Sequence, residues 1–483
     1  MINKKCKTIT LVFTLLISSY HLLGQGIKID EARIERICSY YQATIPGAAI
    51  AFVKDDKVVF TKSFGLANME KNMAIDSNTV FYIGNLSEHF TAFSIFLLEK
   101  ESKLKFDDDV RKYIPELPAY GKKITIRHLL SHTSGLKDVT SIAFLLGMEE
   151  DEYYDTPKAL EIILRQKALQ FDPGTKHQFS YSGYILLSEI VKRVSHQKFE
   201  DFVTERIFKP LNMIHTSFAT NAFFQGKDRT ISYKYKNSTF NATHPKKRLL
   251  GSTGILTNVT DFAKWVNNFH KPIVGDSILW RKFLSPNTLE SGEEIIYPGP
   301  FNTKIMNGLY GARYMGREVI FNIGMENGAQ YFFTYYPENN FSVIVQSNNE
   351  SLPCSMYGWK LAEIALPDFF ELPVYNEQEV QEIAEAPGVE RIENEKAEAI
   401  SGIFQNTDLP CTFTVKVENH TLKLYHDKIR PLSFSYNGGD QFSYGDSWEL
   451  PYKIKFMRDQ TGKVIEMDFE AYFENHFIFK KIQ

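Results

Sequence analysis

Phe81-Tyr82-Ile83-Gly84-Asn85-Leu86-Ser87-Glu88-His89-Phe90-Thr91-Ala92 is the stretch on which the fold turns. From Leu86 onward, Phe90, Ala92, Phe93, Ile95, Phe96, Leu97 and Leu98 occupy most faces of a helix that ends in charged residues through Lys103. A helix that is apolar all round belongs inside a larger body, so the segments on either side of it read as its scaffold. The Asn85-x-x-Glu88 spacing ahead of the apolar run is the signature of a capping box, in which each side chain satisfies an orphan amide of the first turn. Glu88 also suits the positive end of the helix dipole.

Working outward, the 483-residue chain is too long for one ordinary domain and predicts a large domain followed by a smaller one. At 43% hydrophobic and 23% charged residues it has the composition of a globular protein. Its 38 Phe and 25 Tyr favour extensive sheet. A net charge of -3 offers no electrostatic case for nucleic acid or an anionic membrane. Lys4, Lys5 and Lys7 precede an apolar run from Ile9 to Leu23, with Gly24 as a cleavage position. Residues 1–24 are therefore expected to be a signal peptide and the protein to be exported, to the periplasm or beyond. The run is short for a membrane span, and no later stretch is apolar enough for one. After cleavage Cys38, Cys354 and Cys411 remain, an odd count with no disulfide framework and no metal-type spacing, so buried structural thiols are expected, with one bridge in an oxidising compartment as the alternative.

In chain order, residues 27–42 carry Ile34, Ile37 and Tyr41 on one helical face. Pro46-Gly47 breaks the chain before a hairpin formed by Ala48 to Val53 and Lys57 to Phe60, turning at Asp55-Asp56. Residues 140–170 read as helical, and Phe171-Asp172-Pro173-Gly174-Thr175 as a turn. Helices are expected at Leu186 to Val194 and Phe199 to Leu211, and residues 220–250 are polar and irregular. Asp261 is the expected N-cap of a helix through Phe269. Met315 to Ser347 alternates as paired strands with a turn at Tyr335 to Asn340, and a helix from Trp359 to Leu366 closes the large domain, 25–369. An acidic linker over 370–397 then leads to a small all-β domain, 398–483, with strands at Thr412 to Val417, Leu422 to Tyr425, Tyr452 to Phe456 and Val464 to Phe469.

Several blocks in this order resemble the serine β-lactamase-related family of class C β-lactamases, penicillin-binding-protein-like DD-peptidases and esterases. They are Ile45-Pro46-Gly47, Phe81-Tyr82-Ile83-Gly84, Ile124 to Leu136, Pro173-Gly174-Thr175, Gly251 to Gly254 and Tyr336-Pro337-Glu338 ahead of Ser347-Asn348. The resemblance covers residues 28–368. It implies an α/β (α+β) fold, with an antiparallel sheet flanked by helices and an all-helical part, and a lipocalin-like C-terminal β-domain. It also implies a serine nucleophile with a lysine three residues later, a tyrosine-and-asparagine pair, and Lys or His two residues before a glycine. Lysine and tyrosine take the serine proton, and backbone N–H groups form the oxyanion hole.

Each motif departs from that pattern. Asn85 stands at the serine position and Glu88 at the lysine position. An amide nitrogen is no nucleophile because its lone pair is delocalised. Ser87 lies two residues on, about 200° around the helix, and points elsewhere. Pro173-Gly174-Thr175 and Gly183-Tyr184 bracket the second motif without a length change, which puts Phe179 at the tyrosine position and Tyr181 at the asparagine position; a one-step shift would make Tyr181 the base. Asn322-Ile323-Gly324 keeps Gly324 and replaces the cation by Asn322.

The resulting expectation is a pseudoenzyme that uses its cleft for a peptidoglycan-like, peptidic or small-molecule ligand or a partner. The alternative is a divergent hydrolase with Glu88 or Tyr181 acting on water. Asn85, Glu88, Tyr181 and Asn322 are the ligand-binding candidates, and Phe179, Tyr181, Tyr331 and Phe332 either line a groove or pack in the core. His89, His128 and His132 read as structural histidines, and Asp107 to Asp109 as a solvated loop. No motif calls for a metal or cofactor.

Overall fold

The computed structural model describes residue 27 and residues 29–483, except for 42, 149–152, 220–229, 298–300, 352, 372–391, 407, 419–420, 429–430, 445–451, 472–474 and the side chain of residue 394. The expected signal peptide and most of the expected linker lie outside the described residues. Among the described residues no helix is long and apolar enough to cross a membrane.

An eight-stranded antiparallel sheet runs in the order Ile296–Tyr297, Thr303–Ile305, Tyr310–Tyr314, Arg317–Glu326, Ala329–Tyr336, Phe341–Ser347, Ala48–Lys54 and Lys57–Phe64. Ala48–Lys54 is nearly all apolar because both its faces are covered. Ala49, Ala51 and Val53 join the main core on one side. Ala48, Ile50 and Phe52 face a second core on the other, built on the helices Glu31–Ile37 and Cys354–Ala365. The expected hairpin and the paired strands after Met315 are present. The helix expected over 27–42 shortens to Glu31–Ile37, capped by Asp30 and followed by the 3-10 turn Cys38–Tyr40. Cys38, Cys354 and Cys411 are buried free thiols.

The main core encloses the helix Glu88–Lys100, the central helix below. Aromatic rings clasp it, with Phe90 4.5 Å from Trp265 and Phe93 4.4 Å from Trp280. Gly251 to Gly254 threads between it and the helix Tyr181–Ser195. Thr91 Oγ1 donates to the Gly251 carbonyl at 2.6 Å, and Ser188 Oγ to that of Leu250 at 2.9 Å. Gly251 has φ +101, and a Cβ there would lie 2.2 Å from the Tyr184 carbonyl oxygen.

Several local expectations are corrected. The helix Val259–His270 is capped by Asn258, whose Oδ1 accepts from the Asp261 amide at 2.8 Å, so Asp261 sits in the first turn and does not cap it. Residues 140–170 split into Val139–Leu145 and Thr156–Leu164. Tyr181–Ser195 starts earlier than expected because Ser180 caps it. The expected helix from Phe199 changes at Thr204–Phe208 to a π-helical turn. Within the region expected to be irregular, Ser232–Lys236 and Thr239–Thr243 form a hairpin. The last helix of the large part begins at Cys354 rather than Trp359.

The C-terminal strands close into an eight-stranded barrel from Gly402–Asn406 to Asn475–Lys481. Inward residues such as Phe404, Phe413, Phe434, Phe456 and Phe479 fill it, so this is a packed barrel rather than a cup. It docks on the large part through Phe144 and Tyr452, stacked at 5.0 Å, and Lys137 Nζ, 4.7 Å from the Phe477 ring centroid. Helix Asn394–Ile400 begins inside the stretch expected to be linker.

Gly251→Ala should lower the unfolding free energy by about 3 kcal/mol, because it combines an unfavourable φ with a clash against backbone. Urea denaturation followed by tryptophan fluorescence measures this; a loss under about 1 kcal/mol would mean that the loop yields freely.

Candidate functional site

Phe81–Tyr82 pairs with Ile255–Thr257, and the chain then turns through a 3-10 segment, Gly84–Ser87, into the central helix. Across this turn lies Tyr331, on the strand paired with Arg317–Glu326, opposite Gly324. A Cβ on Gly84 would be 1.8 Å from Tyr331 Oη, and one on Gly324 would be 1.7 Å from the Tyr331 ring. The two glycines thus form the slot that admits the phenol. Inside it, Tyr331 Oη donates to Asn85 Oδ1 at 2.8 Å and accepts from the Asn85 amide at 3.0 Å.

The expected capping box is therefore absent. Asn85 spends its side chain on Tyr331, and the helix starts from Ser87 with no side-chain cap bond. Ser87 Oγ accepts from the Ile255 amide at 3.2 Å, directed away from the Tyr331 contact as its helical position requires.

Glu88 does not reach back to a backbone amide either. Its side chain is buried, with Oε2 3.5 Å from His132 Nε2 and Oε1 without a hydrogen-bond partner. Burial pushes its carboxyl well above the ordinary range, and the nearby Asp138 charge adds to this, both favouring the protonated acid. Burial also lowers His132, to about 4. Its Nδ1 accepts from the Ser180 amide at 3.3 Å, which leaves the ring proton on Nε2, facing Glu88. Phe179 and Tyr184 hold this neutral ring, with centroids at 4.6 and 4.9 Å. Phe179 is thus a packing group here, and His132, expected to be purely structural, lies against Glu88.

Tyr181 opens its helix half-buried, its ring 5.3 Å from Phe179. Its amide donates to Asp138 Oδ2 at 2.8 Å, and its carbonyl accepts from Ser252 Oγ at 3.0 Å. Burial and the neighbouring carboxyls raise its phenol well above the usual value. Asn322 is turned into the core: its Nδ2 donates to the Gly308 carbonyl at 2.7 Å and lies 3.1 Å from His89 Nε2. At 2% exposure it offers no surface to a ligand, which corrects its candidacy. His89 also meets the Trp265 indole and is lowered by burial to about 3. Phe332 points to the opposite face of the sheet, 5.1 Å from Trp359, so it lines no groove with Tyr331.

His128 forms a reciprocal capping box with Thr125. Asp107 pairs with Arg127 and Asp109 caps a 3-10 turn, so the three aspartates serve the loop itself. Among the described residues no group of three or more side chains is placed to hold a metal ion.

Two features escaped the sequence reading. Glu326 shares the strand face of Asn322 and Gly324, and the period-two spacing from Gly324 was the signal for it. Asn475 of the barrel carried no such signal. Its Oδ1 accepts from the Asp138 amide at 2.7 Å and from Gln170 Nε2 at 2.9 Å, and Asp138 in turn holds the Tyr181 amide.

The model of the Beta-lactamase family matches residues 31–365. The chain belongs to the Beta-lactamase family. Within that family it is similar to protein flp of Staphylococcus aureus strain MRSA252, at 27% identity over 323 residues, covering 64% of this chain and 60% of that protein. It is similar also to a D-aminopeptidase of Gluconobacter oxydans, at 26% identity over 326 residues, covering 66% of this chain and 59% of that one. The chain thus spans about 60% of the length of the curated relatives it matches. Among solved structures, the octameric penicillin-binding protein homologue from Pyrococcus abyssi superposes with a TM-score of 0.62 at 21% identity, covering 94% of this chain and all (100%) of that one. FmtA of Staphylococcus aureus superposes at 0.57 and 18% identity, covering 73% and 92%. At these identities the structures speak to the fold. The fold class inferred from sequence holds for both the large part and the barrel.

Glu88→Gln should equal or exceed the parent in stability at pH 7, by about 1 kcal/mol, since an amide keeps the shape and never has to ionise. The sign follows from the raised carboxyl. The parent holds its full stability below the ordinary value of 4.5 and loses it as pH rises above that, because the unfolded chain releases the proton first. Denaturation of parent and variant at pH 5 and pH 7.5 checks this, the gap favouring the variant more at the higher pH; a gap that shrinks would refute a neutral Glu88.

Proposed function

We propose that this protein is an exported, non-acylating member of the Beta-lactamase family that uses the cleft at the N-terminus of the central helix to bind a peptide-like ligand. One observation carries the reading. The residue at the nucleophile position, Asn85, has no nucleophilic atom, and both its side chain and its backbone N–H are engaged by Tyr331 Oη at 2.8 and 3.0 Å. An oxyanion would need that N–H to be available. Glu88, Phe179 and Asn322 add to the case: a neutral acid, an aromatic packing group and an inward-facing amide stand where proton transfer and polarisation would be needed.

Retention of the surrounding fold suits a recognition role. Relatives named as a D-aminopeptidase, and structures of a D-amino acid amidase in complex with D-phenylalanine, make peptides and amino-acid derivatives the ligand class to test first. Tyr181 and Glu88 are the groups proposed to meet it, Tyr181 being the more exposed. Against the alternative of a divergent hydrolase stand the two candidate bases themselves. Glu88 is held protonated, and the Tyr181 phenol is pushed away from ionisation.

The test is incubation with a fluorescent penicillin and a panel of esters and D-amino acid amides. Neither covalent labelling nor turnover is expected, and the double variant Asn85→Ser/Glu88→Lys should remain unlabelled because Tyr331, Phe179 and Asn322 stay in place. Labelling or turnover by the parent that disappears in Asn85→Ala or Glu88→Gln would overturn the proposal.

A further inference from the structure

A second carboxyl stands on the strand that carries Asn322 and Gly324. Glu326 ends its strand at the hairpin turn Asn327-Gly328, two residues beyond Gly324 and on the same face. The hairpin tip is fixed, since a Cβ on Gly328 would lie 2.8 Å from the Tyr233 backbone nitrogen. Glu326 Oε2 is buried and has no hydrogen-bond partner. Around it are four phenols: Tyr82, which bonds the carboxyl, with Tyr154, Tyr181 and Tyr331. Tyr154 Oη is likewise buried without a partner. Lys247, opposite Tyr154 in a parallel strand pair, sets a positive charge against the carboxyl.

The chemistry of this cluster is specific. Burying a carboxylate oxygen without a donor is costly, so a site that keeps one is built to receive a donor. The phenols are raised first by burial, with the charge of Glu326 adding to each and, for Tyr154, that of Asp138 ahead of it. They supply a polar, aromatic wall that tolerates a cation. Glu88, the other carboxyl of the cleft, is neutral and does not compete for one.

We propose that Glu326 is the anchor for a ligand's primary ammonium group, received at its unpartnered oxygen among Tyr82, Tyr181 and Tyr331 beside the Asn85 turn. This rests on the reading of the cleft as a peptide-ligand site and deepens it: the ligand enters amino end first, as an amino-acid amide or the N-terminus of a peptide. Lys247 competes with the ammonium for the same carboxyl and so limits affinity. Burial raises Glu326 to about 7, with Lys247 and the Tyr82 hydroxyl drawing it down. Ammonium binding therefore strengthens as pH rises towards that value and the carboxylate form fills.

The experiment is isothermal titration calorimetry of the full chain with D- and L-phenylalaninamide and with their N-acetyl derivatives, which lack the charge. At neutral pH the free amines should bind roughly tenfold tighter or better, a preference that weakens at pH 6. Glu326→Gln should abolish the preference, while Lys247→Ala should enhance it; thermal melting confirms that each variant is folded. Should Glu326→Gln fail to fold, the Lys247→Ala arm decides, and unchanged or weaker amine binding overturns the proposal. Equal binding of amine and N-acetyl compounds would overturn the ammonium subsite and leave the peptide-ligand reading standing. Failure of all four compounds to bind at millimolar concentration would overturn both.

Discussion

The central helix is buried along its length from Glu88 to Leu98, and the rest of the large part is arranged around that constraint. Apolar side chains satisfy it by packing against Trp265, Trp280 and Phe283. The polar ones need partners in a dry interior. Thr91 takes the Gly251 carbonyl, Ser94 the Phe90 carbonyl and His89 the Trp265 indole. The Ser94 bond stays within the helix, while the others tie further segments to it: the Gly251 loop, the helix Val259–His270 and, through Asn322 beside His89, the sheet. Glu88 alone among these keeps an oxygen unpaired, and its burial favours the protonated form.

Where sheet and helix meet, side-chain volume controls chemistry. Gly84 and Gly324 leave space that Tyr331 fills, and its hydroxyl then takes the side-chain oxygen and the backbone N–H of Asn85. Nothing in this contact is strained or exotic. It is a satisfied, part-buried hydrogen-bond pair, of the kind that stabilises a fold by about 1 kcal/mol per bond. Its consequence lies in what it occupies, since the same N–H in a reacting site would face the substrate. The neutral His132 is packed between Phe179 and Tyr184, with Nε2 turned to Glu88.

The barrel is part of the same construction. Its filled interior gives it rigidity, and Asn475 uses that rigidity to hold the Asp138 amide. Asp138 receives the amides of Thr140, Ser141 and Tyr181, so the first turn of one helix and the start of another are fixed by one buried carboxylate braced from the barrel. Gln170 repeats the link, donating to both Asn475 and Gln178. The position of Tyr181 thus depends on Asp138, itself braced by a barrel residue 337 positions further along the chain.

Local pattern carried much of this in advance. The all-round apolar run after Leu86, the alternation after Met315, the turns at Pro46-Gly47 and Pro173-Gly174 and the short C-terminal strands are periodic or punctuated features, and periodicity reports which faces are covered. Those same features brought Asn85, Glu88 and Phe179 forward as the positions where this chain departs from the serine, lysine and tyrosine of the motifs it resembles. What they left undetermined was partnership. Asn85-x-x-Glu88 satisfies the spacing of a capping box, yet a phenol 246 positions away takes both bonds that the box would have given Asn85. Asn322 shares a strand face with Gly324, but only packing decides that its amide turns to Gly308 and His89. Spacing along the chain determines which face a side chain occupies; which neighbour wins its hydrogen bonds is settled by long-range contacts that only the tertiary structure brings together.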